Sequence, residues 1–266
     1  MAIGLSTYAF FWRGSEQVET PMTLEAMLEE TAELGGKVFQ ICDYPAIETF
    51  DEPRLTALRD RAHALGIVLE LGTRGIAPKH LERYLTLARV LGVRLIRSML
   101  YSGEDRPTFD QAIQRLEQIL PALRQQQVTL ALETYEQVSI ETLMTVIETV
   151  DDDHIGVCLD PGNCVAALEM PEAVIARTAG RVVNLHLKDF AFSRAPGWVG
   201  FQLIGCPMGE GLLPLETMRE AVNPQARGIN EIIEHWLPWQ QDEATTCALE
   251  AQWTRHNMTF LRSHHG

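Results

Sequence analysis

The sequence predicts an α/β fold, a single-domain (β/α)8 TIM barrel over residues 1–266, from three observations. Eight strand-like runs alternate with helix-length segments whose apolar residues recur at three- and four-residue steps. Runs such as VVNLHL and IGVCL are almost continuously apolar, which is typical of parallel strands covered by helices. A chain of 266 residues that is 46% hydrophobic can build one substantial core.

Along the chain, strands and helices are predicted to alternate without a linker or an internal repeat. The strand-like runs lie at residues 3–9, 37–42, 67–72, 94–99, 129–134, 155–160, 182–188 and 228–234. Apolar residues mark one face of the first helix and of a later helix: Leu24, Met27, Leu28 and Leu34, then Leu116, Ile119, Leu120 and Leu123. Gly35, Gly66 and Gly92 stand where a helix should end in a left-handed cap. Eight such units favour a closed barrel over an open doubly wound sheet.

Residues 189–211 do not fit this alternation. The segment is rich in Gly, Pro and aromatic residues and is longer than an ordinary loop. Its Trp198, Phe201 and Leu203 argue against disorder. Because the segment follows the seventh strand, it leaves the barrel at the rim where barrel active sites lie. We therefore expect an active-site lid at 189–211.

Charge and composition argue against several classes of function. The net charge of −14 is unsuited to neutralising phosphates, so no nucleic-acid partner is expected. No apolar run approaches the roughly 20 residues that span a membrane, and the start MAIGLSTYAFFW lacks the features of a signal peptide. The five cysteines are widely spaced, which suits reduced thiols in the cytoplasm. The acidic surface and a C-terminal helix over 243–261 are compatible with a homodimer.

Four ionisable residues end strand-like runs in the second half of the chain: Glu133, Asp160, His186 and Glu234. Such residues are costly to bury unless they are paired, protonated or bound to a metal. A single acidic residue at a strand end is more often a helix cap or a solvated charge. Together, however, these four would lie at one rim of the barrel, on strands five to eight. We interpret them as one divalent-metal site.

Three carboxylates and one imidazole form a hard, oxygen-rich set of ligands. This set favours Mn²⁺ or Mg²⁺, with Co²⁺ and Zn²⁺ as alternatives. Such an ion would orient vicinal oxygens of a substrate and stabilise the charge that develops when a proton leaves the carbon beside a carbonyl. Enolate chemistry is therefore expected.

The ordered motifs LETYE, LDPGN, HLKD and IIEHW, with the start GLSTYAF and the turn PMGEG, resemble the sugar phosphate isomerase/epimerase superfamily of xylose isomerase-like TIM barrels. The resemblance spans nearly the whole chain. It implies that Glu133, Asp160, His186 and Glu234 bind one divalent metal, and that Glu133 and Glu234 also transfer protons. In the epimerases of this superfamily, two such glutamates face opposite sides of the substrate carbon.

Two departures from the superfamily's patterns narrow this expectation. Related endonucleases carry a histidine three residues after the aspartate, whereas this chain has Asn163, so a site for three zinc ions is not expected. The tagatose-epimerase branch has a histidine after the aspartate and an arginine soon after the metal histidine. Here Asn163 and Phe192 replace that arrangement, which disfavours a free ketohexose as the substrate.

Basic residues at other strand ends indicate the class of substrate. Arg74 follows the third strand, Arg97 lies in the fourth, and Lys188 is two residues beyond His186. Arginine binds a carboxylate or phosphate through two parallel hydrogen bonds, so an anionic sugar is favoured. Two structural alternatives stay open: Arg97 could pair with Glu70, and Lys188 could neutralise the metal carboxylates. The candidate substrate contacts are Tyr8, Arg74, Arg97, Asn163 and Lys188.

Tyr8 lies near the end of the first strand-like run and Asp43 follows the second, and each has an alternative role. Tyr8 is expected to contact the substrate, although it could equally pack under the lid. Asp43 could reach substrate hydroxyls or cap the next helix.

The function expected from these features is a divalent-metal-dependent sugar isomerase or epimerase that acts on a sugar acid or sugar phosphate through a metal-stabilised enediolate. The first alternative is a metal-dependent lyase, a decarboxylase or dehydratase of a 3-oxo sugar acid or inosose, because that reaction passes through the same enolate. The second is a non-catalytic, metal-stabilised binding barrel. The pair Glu133 and Glu234 argues against the second, since a structural ion needs no proton-transfer positions.

Overall fold

Eight parallel strands close into a barrel in a computed structural model that describes residues 1–264; the last two residues of the predicted domain, 265–266, lie outside the described residues. The barrel strands are β1 (Ile3–Ser6), β2 (Val38–Cys42), β3 (Val68–Gly72), β4 (Leu95–Ser98), β5 (Thr129–Glu133), β6 (Ile155–Leu159), β7 (Val182–Leu187) and β10 (Glu231–Ile233). Their order around the barrel is β1, β10, β7, β6, β5, β4, β3, β2. The predicted single-domain (β/α)8 barrel is confirmed.

Helices surround the barrel and begin and end where the sequence supplies caps. They are α1 (Leu24–Glu33), α2 (Glu52–Ala64), α3 (Pro78–Leu91), α4 (Phe109–Gln126), α5 (Ile140–Val150), α6 (Pro161–Val165), α7 (Pro171–Thr178), α8 (Leu215–Val222), α9 (Pro224–Arg227) and α10 (Glu243–Ser263). Thr108 and Gln111 form a reciprocal capping box at α4. Gly35, Gly66 and Gly92 follow α1, α2 and α3 at positive φ, as predicted. Within residues 1–264 no helix is both long and apolar enough to span a bilayer.

The two faces of the strands have opposite chemistry. Outward side chains such as Phe39, Leu71 and Leu132 are buried against the helices and form the hydrophobic core. Inward side chains are largely polar: Gln40 of β2 donates a 3.2 Å hydrogen bond to Asn184 of β7 across the interior of the barrel. The barrel therefore holds a polar column at its centre, and this column leads towards the strand ends that carry the predicted metal residues.

The predicted first and last strands are longer than the observed ones. β1 stops at Ser6 because the Ser6 hydroxyl accepts a hydrogen bond from the Tyr8 backbone N–H and starts a 3-10 helix over Thr7–Phe10. At the other end, Gly228 closes α9 at a φ of 69°, so the chain becomes extended only near β10. These two turns cannot be predicted from the apolar residues of the strand-like runs alone.

The segment predicted as a lid contains an antiparallel hairpin, β8 (Asp189–Arg194) and β9 (Phe201–Cys206). The buried Asp189 carboxylate ties its base together, accepting backbone N–H bonds from Phe190, Gly209, Gly211 and Leu213. At its tip Trp198 is 77% exposed. The sequence did not predict the hairpin, and its closure over the site stays a prediction.

Candidate metal centre and substrate cavity

The structure brings together the four residues that the sequence predicts as one metal site. Glu133 is the last residue of β5, Asp160 follows β6, His186 lies in β7 and Glu234 follows β10. Each is buried, and one potential ligand atom from each lies within 4.8 Å of all the others. The carboxyl ends of four parallel strands meet at this rim, which is why residues 101 positions apart in sequence become neighbours.

Gln40 determines which nitrogen of His186 faces the carboxylates. The Gln40 amide donates to Glu70 Oε2 at 3.1 Å and to Asn184 Oδ1 at 3.2 Å, so both of its N–H groups are used. Its oxygen therefore accepts from His186 Nε2, at 2.8 Å. The His186 Nδ1 atom is left 3.1 Å from Glu133 Oε1 and 3.4 Å from Glu234 Oε1. This is the tautomer that a metal-binding histidine requires.

The donor set fits a divalent ion. Asp160 Oδ2 and Glu133 Oε2 are buried, and their partners are cations: Lys188 lies beside the first and Arg97 beside the second. Lys188 Nζ forms ion pairs with Asp160 Oδ2, at 2.7 Å, and with Glu234 Oε2, at 3.0 Å. The cluster consists of three carboxylates and an imidazole whose Nδ1 atom points inward. Without a bound cation, it would hold excess negative charge out of water. Its chemistry suits a hard cation without selecting one metal.

The charges of the cluster depend on one another. Burial disfavours ionisation of Glu133, but Arg97 and His186 outweigh it and lower the pKa to about 2. At Asp160 burial prevails and raises the pKa to about 6. Burial disfavours the charged form of His186, yet Glu234 and Glu133 raise its pKa. The cluster therefore holds a proton on His186 more readily than a free imidazole would, and a bound cation would compete with that proton.

A cavity of about 230 Å³ opens directly above this cluster. All five candidate substrate contacts line it: Tyr8, Arg74, Arg97, Asn163 and Lys188. Glu133 and Glu234 also line it, so the proposed proton-transfer residues face the same space. The cavity is large enough for a small sugar acid.

Two of these contacts are bonded to the metal residues. Asn163 donates to Glu133 Oε1 at 3.2 Å, and its backbone N–H is capped by Asp160. Lys188 joins Asp160 to Glu234 and lies 4.8 Å from the centre of the Trp236 ring. The sequence alternative in which Lys188 neutralises metal carboxylates describes its contacts in this structure. Its position at the cavity wall is compatible with a substrate contact as well.

The alternative that pairs Arg97 with Glu70 is wrong. Arg97 forms ion pairs with Glu133 and with Asp43, and donates to the Thr73 carbonyl at 2.9 Å. Glu70 lies deeper in the barrel, where it accepts hydrogen bonds from Gln40, Asn184 and Asn230. The alternation of inward and outward side chains along β3 and β4 could not exclude this pair. Glu70 and Arg97 both point inward, and only their height along the barrel axis differs.

Several residues of the site were missed from the sequence. Trp236 and Tyr135 line the cavity, the Ser6 hydroxyl donates to Glu234 Oε1 at 3.0 Å, and Gln40 orients His186. Tyr135 and Trp236 each lie two residues beyond a predicted metal ligand, and this spacing could have indicated them. Ser6 and Gln40 carry no such signal, because their role depends on strands from the other end of the chain.

Known proteins with similar sequences or structures share this architecture. The family model of xylose isomerase-like TIM barrels matches residues 28–264 of this chain. The 3-oxo-isoapionate decarboxylase of Pectobacterium atrosepticum is 56% identical over 261 residues, which cover 98% of this chain and 95% of that protein. D-psicose 3-epimerase from Clostridium cellulolyticum H10, solved with D-tagatose, has a TM-score of 0.75 at 15% identity over 99% of both chains. A xylose isomerase-like TIM barrel protein from Mycobacterium smegmatis, in complex with magnesium, has a TM-score of 0.67 at 18% identity over 97% of both chains. At such identities the two structures show a common fold alone.

Proposed function

The chain belongs to the xylose isomerase-like TIM barrel family, and we propose that it is a divalent-metal-dependent decarboxylase of a 3-oxo sugar acid. The observation that carries the proposal is a buried cluster of three carboxylates and one imidazole beneath a cavity lined by arginine and lysine. The 56% identity to a 3-oxo-isoapionate decarboxylase over nearly the whole chain supports the reaction. The lyase alternative thus ranks above the isomerase or epimerase that the sequence favours.

The chemistry of a 3-oxo acid suits this site. The carbonyl carbon is two bonds from the carboxyl carbon, so when the C1–C2 bond breaks its electron pair becomes an enolate shared between C2 and the C3 oxygen. CO₂ departs, and C2 then takes up a proton. A bound divalent ion supplies electrostatic stabilisation of the developing oxygen charge. Glu133, Asp160, His186 and Glu234 are the residues that would hold it.

Delivery of the proton is assigned to Glu234. Its Oε2 atom lies 3.0 Å from Lys188 Nζ, and its side chain lines the cavity. Glu133 is less suited to this role, because its Oε2 atom is paired with the buried Arg97 and its Oε1 atom accepts a hydrogen bond from Asn163. The pKa of both carboxyl groups is lowered, so pKa does not distinguish them. We therefore assign Glu133 to holding the ion and Glu234 to holding the ion and protonating carbon.

The charge of the site suits an anionic substrate. The ion-paired side chains around the cavity comprise four carboxylates and three permanent cations: Asp43, Glu133, Asp160 and Glu234, with Arg74, Arg97 and Lys188. With His186 neutral, as a metal ligand must be, their net charge is −1, and a divalent ion changes it to +1. Glu136, which is half-buried and also lines the cavity, offsets this positive charge, so the preference for an anion rests on Arg74, whose side chain is half exposed there.

An isomerase or epimerase is the second candidate. Glu133 Oε1 and Glu234 Oε1 lie 3.1 and 3.4 Å from His186 Nδ1 and come from strands that are not adjacent in the barrel. Two carboxylates placed in this way can remove a proton from one face of a carbon and return it to the other. A decarboxylase needs only one such group.

The test is a panel of 3-oxo sugar acids, other sugar acids and sugar phosphates, incubated in D₂O with protein that has been chelated and then reloaded with Mn²⁺. Decarboxylation predicts one CO₂ per product molecule and one deuteron at the carbon that carried the carboxylate. Deuterium in an isomer or in recovered substrate, without CO₂, would establish the second candidate instead. Neither signal across the panel would refute both.

The same panel tests the non-catalytic alternative. Glu234→Gln should abolish turnover while the protein still folds and binds Mn²⁺, although more weakly. Glu216→Gln, an exposed substitution on α8, is the matched control and should leave turnover unchanged. Equal activity in both variants would exclude Glu234 from the chemistry.

A further inference from the structure

Asp43 has a backbone conformation that its position in the fold does not require. It follows β2 with a φ of 47°, in the left-handed region that side chains with a Cβ seldom adopt. Gln127, Asp151 and Asn223 share this conformation, but each of them ends a helix. Asp43 ends none, and the next short helix begins after Tyr44 without a side-chain cap. Strain of this kind tends to be retained at functional sites.

The Asp43 side chain connects three other strand ends. Its Oδ2 atom accepts hydrogen bonds from the Tyr8 hydroxyl and from Arg74 Nε, both at 2.9 Å. Its Oδ1 atom accepts from Arg97 Nη1 at 3.2 Å. Burial disfavours its ionised form, but Arg97 and Arg74 outweigh burial and lower its pKa. Asp43 is therefore a fixed anion that joins residues from the ends of β1, β3 and β4.

The two arginines that Asp43 joins differ in how many N–H donors they have free to bind a ligand. Arg97 is 3% exposed and is occupied by Asp43, Glu133 and the Thr73 carbonyl. Arg74 has half of its side chain exposed at the cavity and also donates to the Tyr8 hydroxyl from Nη2, at 2.8 Å. Its Nη1 donates to no protein group within the described part of the chain. Arg74 is thus held at two nitrogens and retains donors for a ligand.

We propose that Asp43 is a positioning residue that holds Arg74 as the carboxylate-recognition group of the cavity, and so selects sugar acids over neutral sugars. An arginine anchored through Nε and Nη2 loses little further side-chain freedom when an anion binds. Without that anchor the half-exposed Arg74 would sample many rotamers, and each anion would have to order it. The inference rests on the proposed function for the class of substrate, but it concerns binding and can be tested apart from the reaction.

The first experiment measures binding rather than turnover. The probes are a four-carbon aldonate, which lacks a 3-oxo group, and the alditol of the same length, titrated calorimetrically into the Mn²⁺-loaded protein. The wild type should prefer the aldonate by at least about tenfold, as a charge-assisted contact provides. Asp43→Asn should reduce this preference to less than threefold while Mn²⁺ affinity stays within about threefold. Asparagine has the same shape and tolerates a positive φ, so the turn should be retained.

A double-mutant cycle separates positioning from a general effect on the fold. Arg74→Gln should remove the aldonate preference by itself, and adding Asp43→Asn should cause no more than about a twofold further loss. With a turnover substrate, Asp43→Asn should raise KM about tenfold and change kcat less than threefold. Additive losses in the double variant, or an unchanged preference in Asp43→Asn, would overturn the proposal. If the aldonate preference behaves as expected but no CO₂ is released from any substrate, the decarboxylase assignment fails and the role of Asp43 stands.

Discussion

Replacing Gln40 with methionine should weaken metal binding although Gln40 is not itself a candidate ligand. Gln40 is fully buried, and its amide oxygen lies 2.8 Å from His186 Nε2. Methionine fills a similar volume but cannot accept that hydrogen bond. His186 would then be free to rotate or to place its proton on Nδ1, the nitrogen that faces Glu133 and Glu234.

The contact between Gln40 and His186 sets the expected size of the effect. A residue that orients a metal-binding histidine is worth about 10- to 100-fold in metal affinity. This corresponds to about 1.4–2.7 kcal/mol, at 1.36 kcal/mol for each factor of ten. The substitution also removes both amide donors from Glu70 and Asn184. Glu70 keeps its bonds from two asparagines, but Asn184 Oδ1 and His186 Nε2 lose their bonds to Gln40. Because a buried group left without a partner costs about 1–3 kcal/mol, we expect the metal-free protein to lose about 2–6 kcal/mol of unfolding free energy.

Two measurements check this prediction. Mn²⁺ affinity is determined by competition with a chelator at pH 7.5, and the free energy of unfolding is determined in urea with and without Mn²⁺. His235→Gln is the matched control: His235 is buried beside the site, contacts Asn257, and lies outside the metal cluster. It should change stability but leave the affinity within about threefold. A folded Gln40→Met protein with unchanged Mn²⁺ affinity would show that the contact to Gln40 does not orient His186.

Three further predictions concern charge. Because the pKa of His186 is raised and that of Asp160 is about 6, protons compete with the metal; Mn²⁺ affinity should rise from about pH 5.5 to pH 7.5, with proton release measurable by calorimetry in two buffers, and a flat profile would contradict this. Lys188→Met should destabilise the metal-free protein by about 3 kcal/mol, with most of the loss recovered on adding Mn²⁺, as urea unfolding would show; an equal loss in both states would refute the expectation. Glu250→Gln should cost about 2–4 kcal/mol of stability without altering Mn²⁺ affinity, since Glu250 binds two backbone N–H groups and the Arg13 side chain; a large loss of affinity would contradict it.

The polar interior of the barrel connects the candidate metal residues to a network of buried amides. The Glu70 carboxylate accepts hydrogen bonds from the side-chain amides of Gln40, Asn184 and Asn230. Gln40 also bonds His186, so it links this buried carboxylate to the candidate metal site. Burial raises the pKa of Glu70 despite these donors, so the ionised form is less favoured there than in water. A connected network of this kind is stable only when its members are satisfied, so we expect a change deep in the barrel to alter the position of His186.

Much of the fold was predictable from local patterns. Parallel strands buried on both sides must be apolar on their outward face, and helices end where glycine accepts a positive φ, so both leave marks in a few consecutive residues. Strand ends were less accurate, because a single hydroxyl, that of Ser6, ends β1. The hairpin in 189–211 was missed since its residues alternate irregularly and pair only with each other.

The chain itself specified the barrel, the rim on which function lies and the four residues that converge there. Each of these follows from the position of a residue relative to its own strand, which sequence order records. The partners of Arg97, the tautomer of His186 and the linking role of Asp43 arose only on closure of the barrel. They join side chains from strands far apart in sequence, at heights set by the stagger of the strands, and no local pattern encodes those distances.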